Sequence, residues 1–351
     1  MGSVTREKLR IDLARSAIIK EAPLRSMVKL YLKRAREIEN YLLKRPNQWG
    51  KFQAEFNAQL NNVFRNIMNF EKENLSSGRE DTVYKLKRMF IKRFRKIFAR
   101  GVYCDWSINK PLGYAGDFKI IDDIYQNEPR TQGMDRLFDN YFQMSAISVA
   151  VRNRKEDFKR IIADFINHQP KRRLRIMNLA SGSSRELKEL IALNRYLVKR
   201  VAFDCYDSEQ KAVDYARSLL SGFPNVNFIK LNAIRIALSR NINRLVNKRY
   251  DLIYSTGLFD YFSDRIAVAV VQNLKKLLVK EGVMAIANVR DKYSNPSVHF
   301  MEWAGGWDLV YRSDDTFKEI FTKAGFNEQD LEIQYEQQGI MQYIIAVNRV
   351  V

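Results

Sequence analysis

The sequence predicts an α/β protein: a doubly wound, Rossmann-like, seven-stranded sheet with a C-terminal antiparallel hairpin, preceded by an all-helical N-terminal domain. Three observations carry this expectation. From residue 171 onward, short apolar runs alternate with amphipathic segments of helical period. The last two apolar runs have no helix between them, and the first hundred residues show three- and four-residue apolar steps with almost no period-two alternation. The expected organisation is a basic helical domain over 1–100, a loop-and-helix segment over 101–170, and the α/β domain over 171–351.

In the first segment Leu24, Met27, Val28, Leu30, Tyr31 and Leu32 lead into Ile38, Tyr41 and Leu42. A second stripe runs through Phe52, Phe56, Leu60, Val63, Phe64, Ile67 and Met68. The third, TVYKLKRMFIKRFRKIFAR, sets Val83, Leu86, Phe90, Phe94 and Ile97 on one face and Lys/Arg on the other. Such a helix turns its stripe to a core and its charges to water, or else lies on an anionic membrane surface or another polyanion. At KPLGYAGDF, residues 110–118, two glycines three apart interrupt the pattern. Helix resumes at KIIDDIYQN and again over 134–168.

The α/β part follows in order: RLRIMNLA, VAFDCYD, NVNFIKLN, RYDLIYST and GVMAIANV, each separated from the next by a helical segment. Strands joined this way need right-handed crossovers and lie parallel. TFKEIFTKAGF is a helix stopped by Gly325, and DLEIQYEQ and IMQYIIAVNRV then form the hairpin on a sheet edge.

At 351 residues and 46% apolar content there is material for a sizeable core. No window of eighteen apolar residues could span a membrane, and the N-terminus carries charges where a signal peptide needs an apolar run. Cys104 and Cys205 suit a reducing compartment, and His168 and His299 are too far apart in sequence to suggest a metal cluster. These features predict a soluble, cytoplasmic protein without a metal; they leave its oligomeric state open. The formal net charge is +20, and residues 1–100 hold 24 Lys/Arg against 10 Asp/Glu. Charge of that sign attracts nucleic acid, anionic lipid or acidic partners without distinguishing them.

Ligands of doubly wound sheets bind outside the C-terminal strand ends. After the first strand comes NLASGSSRE, with Asn178, Ala180, Ser181, Gly182, Ser183, Arg185 and Glu186; its small residues allow close backbone approach. Asp207, followed by Ser208, ends the second strand, where a carboxylate can accept both hydroxyls of a ribose. Asn232 and Ala233 follow the third strand, an amide suited to an adenine edge. Ser255, Thr256 and Gly257 emerge from the fourth.

This order of elements resembles the class I S-adenosylmethionine (SAM) methyltransferases, and the hairpin favours them over dinucleotide dehydrogenases. Against that superfamily's acidic-x-Gly-x-Gly-x-Gly pattern, Asn178 replaces the acid, Ala180 the first glycine and Ser184 the third. Over most of residues 100–351, GYAGD, AxGxxRE, GLFDYFSDR and NPSxxFMEWxxxWDLVYRS occur in an order that resembles a bacterial methyltransferase family. Its members are associated with making methyl esters of 3-hydroxy fatty acids, such as the hydroxypalmitate ester used as a quorum signal. The resemblance implies SAM as cofactor and a small or fatty-acyl carboxylic acid as substrate.

A carboxylate is ionised at neutral pH and needs no general base, so alignment and water exclusion dominate such chemistry. Arg290, directly after the fifth strand, is then a candidate clamp for the acid, with Asn288 and Tyr293 positioning it, or else a surface salt-bridge residue. Phe300, Trp303 and Trp307 would wall an acyl chain, or Trp303 and Trp307 simply pack under a loop; Tyr311 and Arg312 could line the mouth, and His299 reads as a packing residue. Asp260, beside Tyr261, faces the donor's ammonium, or orders the substrate loop, or caps the next helix. The GYAGD loop is expected to act as a lid with Tyr114 and Asp117 facing the site, or as an interdomain turn capped by Asp117. Two other functions fit the charge. One is a nucleic-acid or protein methyltransferase docking through the basic helices, although STGLFDYF lacks the Asn/Asp-Pro-Pro-aromatic turn of base-amino methylation. The other is a non-catalytic adaptor.

Overall fold

The computed structural model describes residues 22–171, 173–194 and 199–349, and the chain divides into two compact units. Of the described residues, the first comprises those up to Val102 together with Arg130–Tyr141; the second comprises Tyr103–Pro129 and those from Phe142. Residues 101–170 are thus shared between the units.

In the first unit three helices, α1 (Ala22–Lys44), α2 (Gln53–Ser76) and α3 (Glu80–Arg93), carry the apolar stripes. Val83, Phe90 and Phe94 are buried while Lys85, Arg88, Lys92 and Lys96 are exposed. The basic amphipathic stretch therefore spends its stripe on the unit's own core. That core is aromatic: Tyr31 stacks on Phe98 at 4.7 Å, and Phe56 meets Phe138 edge-on at 4.8 Å.

The second unit holds α4 (Val102–Asn109, of which Val102 belongs to the first unit), α5 (Phe118–Gln126), the end of α6 (Gly133–Met144) and α7 (Ala146–His168). The strands are β1 (Leu174–Leu179), β2 (Val201–Asp207), β3 (Val226–Lys230), β4 (Tyr250–Ser255), β5 (Leu278–Val289), β6 (Leu331–Tyr335) and β7 (Met341–Val347). They form one sheet in the order β3-β2-β1-β4-β5-β7-β6. The first five strands pair in parallel, and β7 joins β5 and β6 antiparallel, so the fold class is the expected one.

Helices α8 (Arg185–Leu193), α9 (Gln210–Leu219), α10 (Asp264–Lys275) and α11 (Asp314–Lys323) provide crossovers and cover. Val270, Val271 and Leu274 of α10 and Phe317, Ile320 and Phe321 of α11 share one core with Met284, Ile286 and Ile344, alternate residues of the sheet. On the other side α7 packs against α5 and α8. The fifth strand begins earlier than the apolar run GVMAIANV suggests: Leu278 pairs with Tyr250, and the register shifts before Leu252 meets Val283. Glu281, at φ +58°, takes up this bulge, and α10 ends at Lys275.

Strand order reverses at β1, with β2 on one side and β4 on the other. The crevice at their carboxyl ends is the switch point of a doubly wound sheet.

Candidate functional site

A cavity of about 300 Å³ opens at this switch point, within the second unit. Its floor is the loop after β1. Ala180, Gly182 and Ser184 all take left-handed φ, at +55°, +53° and +52°, which coils the backbone tightly before α8. Ser181 N donates to Tyr206 O at 3.0 Å and Gly182 N to Asp207 Oδ2 at 2.9 Å, so the loop is tied to the end of β2. Asp207 also accepts from Glu209 N at 2.9 Å and lines the cavity beside Ser208. Burial raises its carboxyl above the usual range, against the pull of those two N–H groups.

Glu186, in the first turn of α8, is 4% exposed and also faces the cavity. It accepts from Asn178 Nδ2 at 3.0 Å and Tyr254 Oη at 3.1 Å, yet burial pushes its carboxyl up to about 7. Asn178 itself does not reach the wall; it supports Glu186.

The far wall comes from the segment after β4. Thr256 and Gly257 line the cavity, whereas Ser255 turns inward and donates to Leu179 O at 2.8 Å. Asp260 is buried at the wall: its Oδ1 accepts from Val289 N at 2.7 Å and Asn288 Nδ2 at 2.8 Å. It caps no helix; α10 begins later, after Ser263. Burial raises the Asp260 carboxyl, opposed by Arg154, whose Nη1 lies 3.7 Å from Oδ2.

Arg154 was not among the residues expected at the site. It sits on α7, 3% exposed, and is the sole cationic side chain among the described residues lining the cavity. The signal was present: Ile147, Val151, Phe158, Ile162 and Ile166 form the buried stripe of α7, and Arg154 falls in register with it. A charge inside an apolar stripe needs a partner.

The roof is the GYAGD loop, and its two glycines serve different ends. Gly113 adopts φ +96° in open space, while Gly116 is packed so closely that a Cβ there would lie 2.5 Å from Trp307 Cζ2 and closer still to the Tyr261 hydroxyl. Trp307 Nε1 donates to Tyr261 Oη at 2.9 Å, and the Tyr114 ring meets Tyr261 edge-on at 6.1 Å. Tyr114 therefore lines the cavity. Asp117 does not: it is the N-cap of α5, accepting from Lys119 N and Ile120 N, and also takes the Trp106 indole N–H at 2.8 Å.

Several other expected residues lie away from the wall. Arg185 forks onto Asp122 at 2.6 and 2.7 Å, and with Tyr215 it holds that carboxyl below the usual range in spite of burial. Asn232 caps a short helix through Ile234 N and is exposed, while Ala233 is buried in the core. Arg290 points to the edge of the unit, paired with Asp314 at 3.2 Å, bonded to Gly339 O and stacked on Tyr335. Tyr293 stacks parallel to His299, Trp303 packs beside His299, and Phe300 meets Phe142; of the aromatic trio only Trp307 lines the cavity. Asn288 backs Asp260 from behind. Arg312 lies deeper, donating to Asp264, Phe259 O, Phe262 O and Asn288, and Tyr311 donates to Glu302, so neither lines the mouth.

Among the described residues no group of three or more His, Cys, Asp or Glu could hold a metal, and no helix is long and apolar enough to cross a membrane.

No protein-family model and no curated protein matches the sequence. Solved structures do. A possible exported protein from Bordetella parapertussis is 16% identical with a TM-score of 0.53, and the match covers 100% of both chains. The methyltransferase domain of a citrinin polyketide synthase is 13% identical over 71% of this chain and 69% of that one, at TM-score 0.46. An O-methyltransferase family protein from Burkholderia thailandensis is 15% identical over 60% of this chain and 62% of its own length, at TM-score 0.40. The full-length match shares the fold of this chain; the two shorter ones are methyltransferases by description.

Proposed function

We propose that this chain is a SAM-dependent methyltransferase that esterifies the carboxylate of a small or fatty-acyl 3-hydroxy acid. The observation that carries the cofactor assignment is the charge of the cavity. Asp207 and Asp260 line it against one guanidinium, and Glu186 adds a further negative charge as pH rises past about 7, so it favours a ligand with cationic groups and disfavours the pyrophosphate of a dinucleotide. SAM carries a sulfonium and an ammonium. Asp207 keeps acceptor capacity beyond its two backbone bonds and would take the ribose hydroxyls. Glu186 would face a cationic group, and the coiled 180–184 backbone leaves room for close approach.

When bound, SAM would supply a methyl carbon on a sulfonium to the acceptor oxygen, with the carbon–sulfur electron pair leaving on sulfur. The residues of this chain need only bind, orient and exclude water. Tyr114, Tyr261 and Trp307 form the aromatic roof that does the excluding, and Ile147, Val151 and Met341 supply apolar wall for the acceptor. An acid acceptor arrives ionised, so no side chain has to remove a proton. Incubating the protein with SAM and a panel of free acids, acyl thioesters, tRNA and protein, with the methylated product identified by mass, tests the reading. A methyl ester of a hydroxy acid is the expected product; turnover confined to tRNA or protein would replace the substrate assignment, and absence of SAM binding by calorimetry would end the whole reading.

A further inference from the structure

The two buried arginines among the described residues of the second unit differ in how fully they are bonded. Arg312 has Asp264 Oδ1 and Phe259 O, each at 2.9 Å, together with Phe262 O and Asn288 Oδ1. Arg154 is buried almost as deeply, but its nearest carboxylate is 3.7 Å away, well beyond the roughly 2.7–2.9 Å of a charge-assisted hydrogen bond. Among the described residues its Nε has no hydrogen-bond partner, and the Tyr125 hydroxyl is the neutral group that bonds the guanidinium. A buried guanidinium left in this state is costly unless something completes it.

The surroundings indicate what completes it. Asp260 is not free to swing closer, because Val289 N and Asn288 Nδ2 hold its Oδ1, and Asn288 is in turn held by Arg312. Gly257 leaves the space beside the guanidinium open: a Cβ there would sit 3.4 Å from both Nη1 and Nη2. One and two turns back along α7, Val151 and Ile147 extend the same wall as bare hydrocarbon. A planar cation at one end of an apolar strip matches a carboxylate with an aliphatic tail.

We infer that Arg154 holds the carboxylate of the acceptor, with Asp260 as the fixed counter-charge that keeps the guanidinium in place before the acid arrives. The inference rests on the methyl-transfer reading for its consequence in turnover, but its binding step stands apart from SAM. Arg154 takes the role that topology suggested for Arg290, and it selects acids over the corresponding alcohols.

The test uses the full chain with 3-hydroxyoctanoate and its uncharged counterpart 1,3-octanediol, measured by calorimetry without SAM, alongside a separate titration with SAM. Wild-type protein should bind the acid more tightly than the diol. Arg154→Gln should erase that preference, weakening the acid roughly 10- to 100-fold and leaving diol binding and SAM affinity within about threefold. Asp260→Asn should shift acid binding the opposite way, because the incoming anion no longer competes with a fixed one. Equal binding of acid and diol by the wild type, binding of neither, or an undiminished preference in Arg154→Gln would overturn the inference. So would weaker acid binding in both variants, which would mark the Arg154–Asp260 pair as structural. Failure of SAM to bind while the acid preference and its loss persist would sink the methyltransferase reading and leave the Arg154 site standing.

Discussion

At the ends of β1 and β2 the polar groups face a cavity; beyond the end of β5 they face one another. Asp207 receives one N–H on each oxygen and Glu186 two side-chain donors on a single oxygen, so both retain acceptor capacity toward the crevice. In the other region Arg290 is occupied by Asp314, Gly339 O and the Tyr335 ring, and Asn288 by Asp260, Val310 O and Arg312. The contrast separates two uses of the same residue types. Polar groups that saturate each other hold the loops in place, and those left incompletely bonded at a wall are the ones a ligand can engage.

The largest expected effect that sharpens this contrast belongs to Glu186. Its carboxyl sits near 7 in the fold against an ordinary 4.5, so between those values the folded chain keeps a proton that the unfolded chain has lost. Stability from this group is complete below about pH 4.5 and is lost as pH rises through 7, by on the order of 3 kcal/mol at most. Glu186→Gln keeps the bonds from Asn178 and Tyr254 and should flatten that slope relative to wild type in denaturant titrations across pH 4–8. An unchanged slope would show that Glu186 is ionised throughout and already paired.

Asp207→Ala should come next, weakening SAM roughly 10- to 100-fold by calorimetry, since a charged acceptor is lost where ribose hydroxyls would bind. Unaltered affinity would move the cofactor out of this crevice. Gly116→Ala forces a methyl onto Trp307 and Tyr261, an overpacking of about 1–3 kcal/mol that should lower turnover through the displaced roof. Gly113→Ala, strained only by its φ, should cost stability with turnover retained; equal losses of turnover in both would remove the distinction between the two glycines. Arg290→Ala is the smallest change: a partly exposed pair worth under about 1 kcal/mol, with no selective effect on acid substrates. A selective loss of acid turnover there would return Arg290 to the site and break the comparison.

Period and order along the chain were enough for the elements. Alternating apolar runs and helical stripes placed all seven strands, the hairpin and the basic stripe of α3, because burying a face leaves a repeat in the sequence. The floor and far wall of the cavity were legible for a related reason: Ala180 to Ser183, Asp207, Thr256 and Gly257 follow strand ends, and a parallel sheet brings those ends to one edge. Glu186 was legible as part of the same loop, whereas its partner Asn178 was legible only as a position.

What lies at the wall from elsewhere was not legible by that rule. Arg154 is some twenty residues before β1, on a helix whose register sets it against the crevice, and Gly116 matters because Trp307 packs on it from nearly two hundred residues away. Strand-end reasoning put the acid-binding cation at Arg290, but the hairpin turn brings Gly339 beside that side chain, and Asp314 and Tyr335 pair with it. Composition and periodicity thus determined the architecture and the position of the crevice, because both follow from local pattern and strand order. Which charge faces the crevice, and which is neutralised elsewhere, was decided by tertiary packing, because a charge's role depends on the partners that distant segments bring within hydrogen-bonding range.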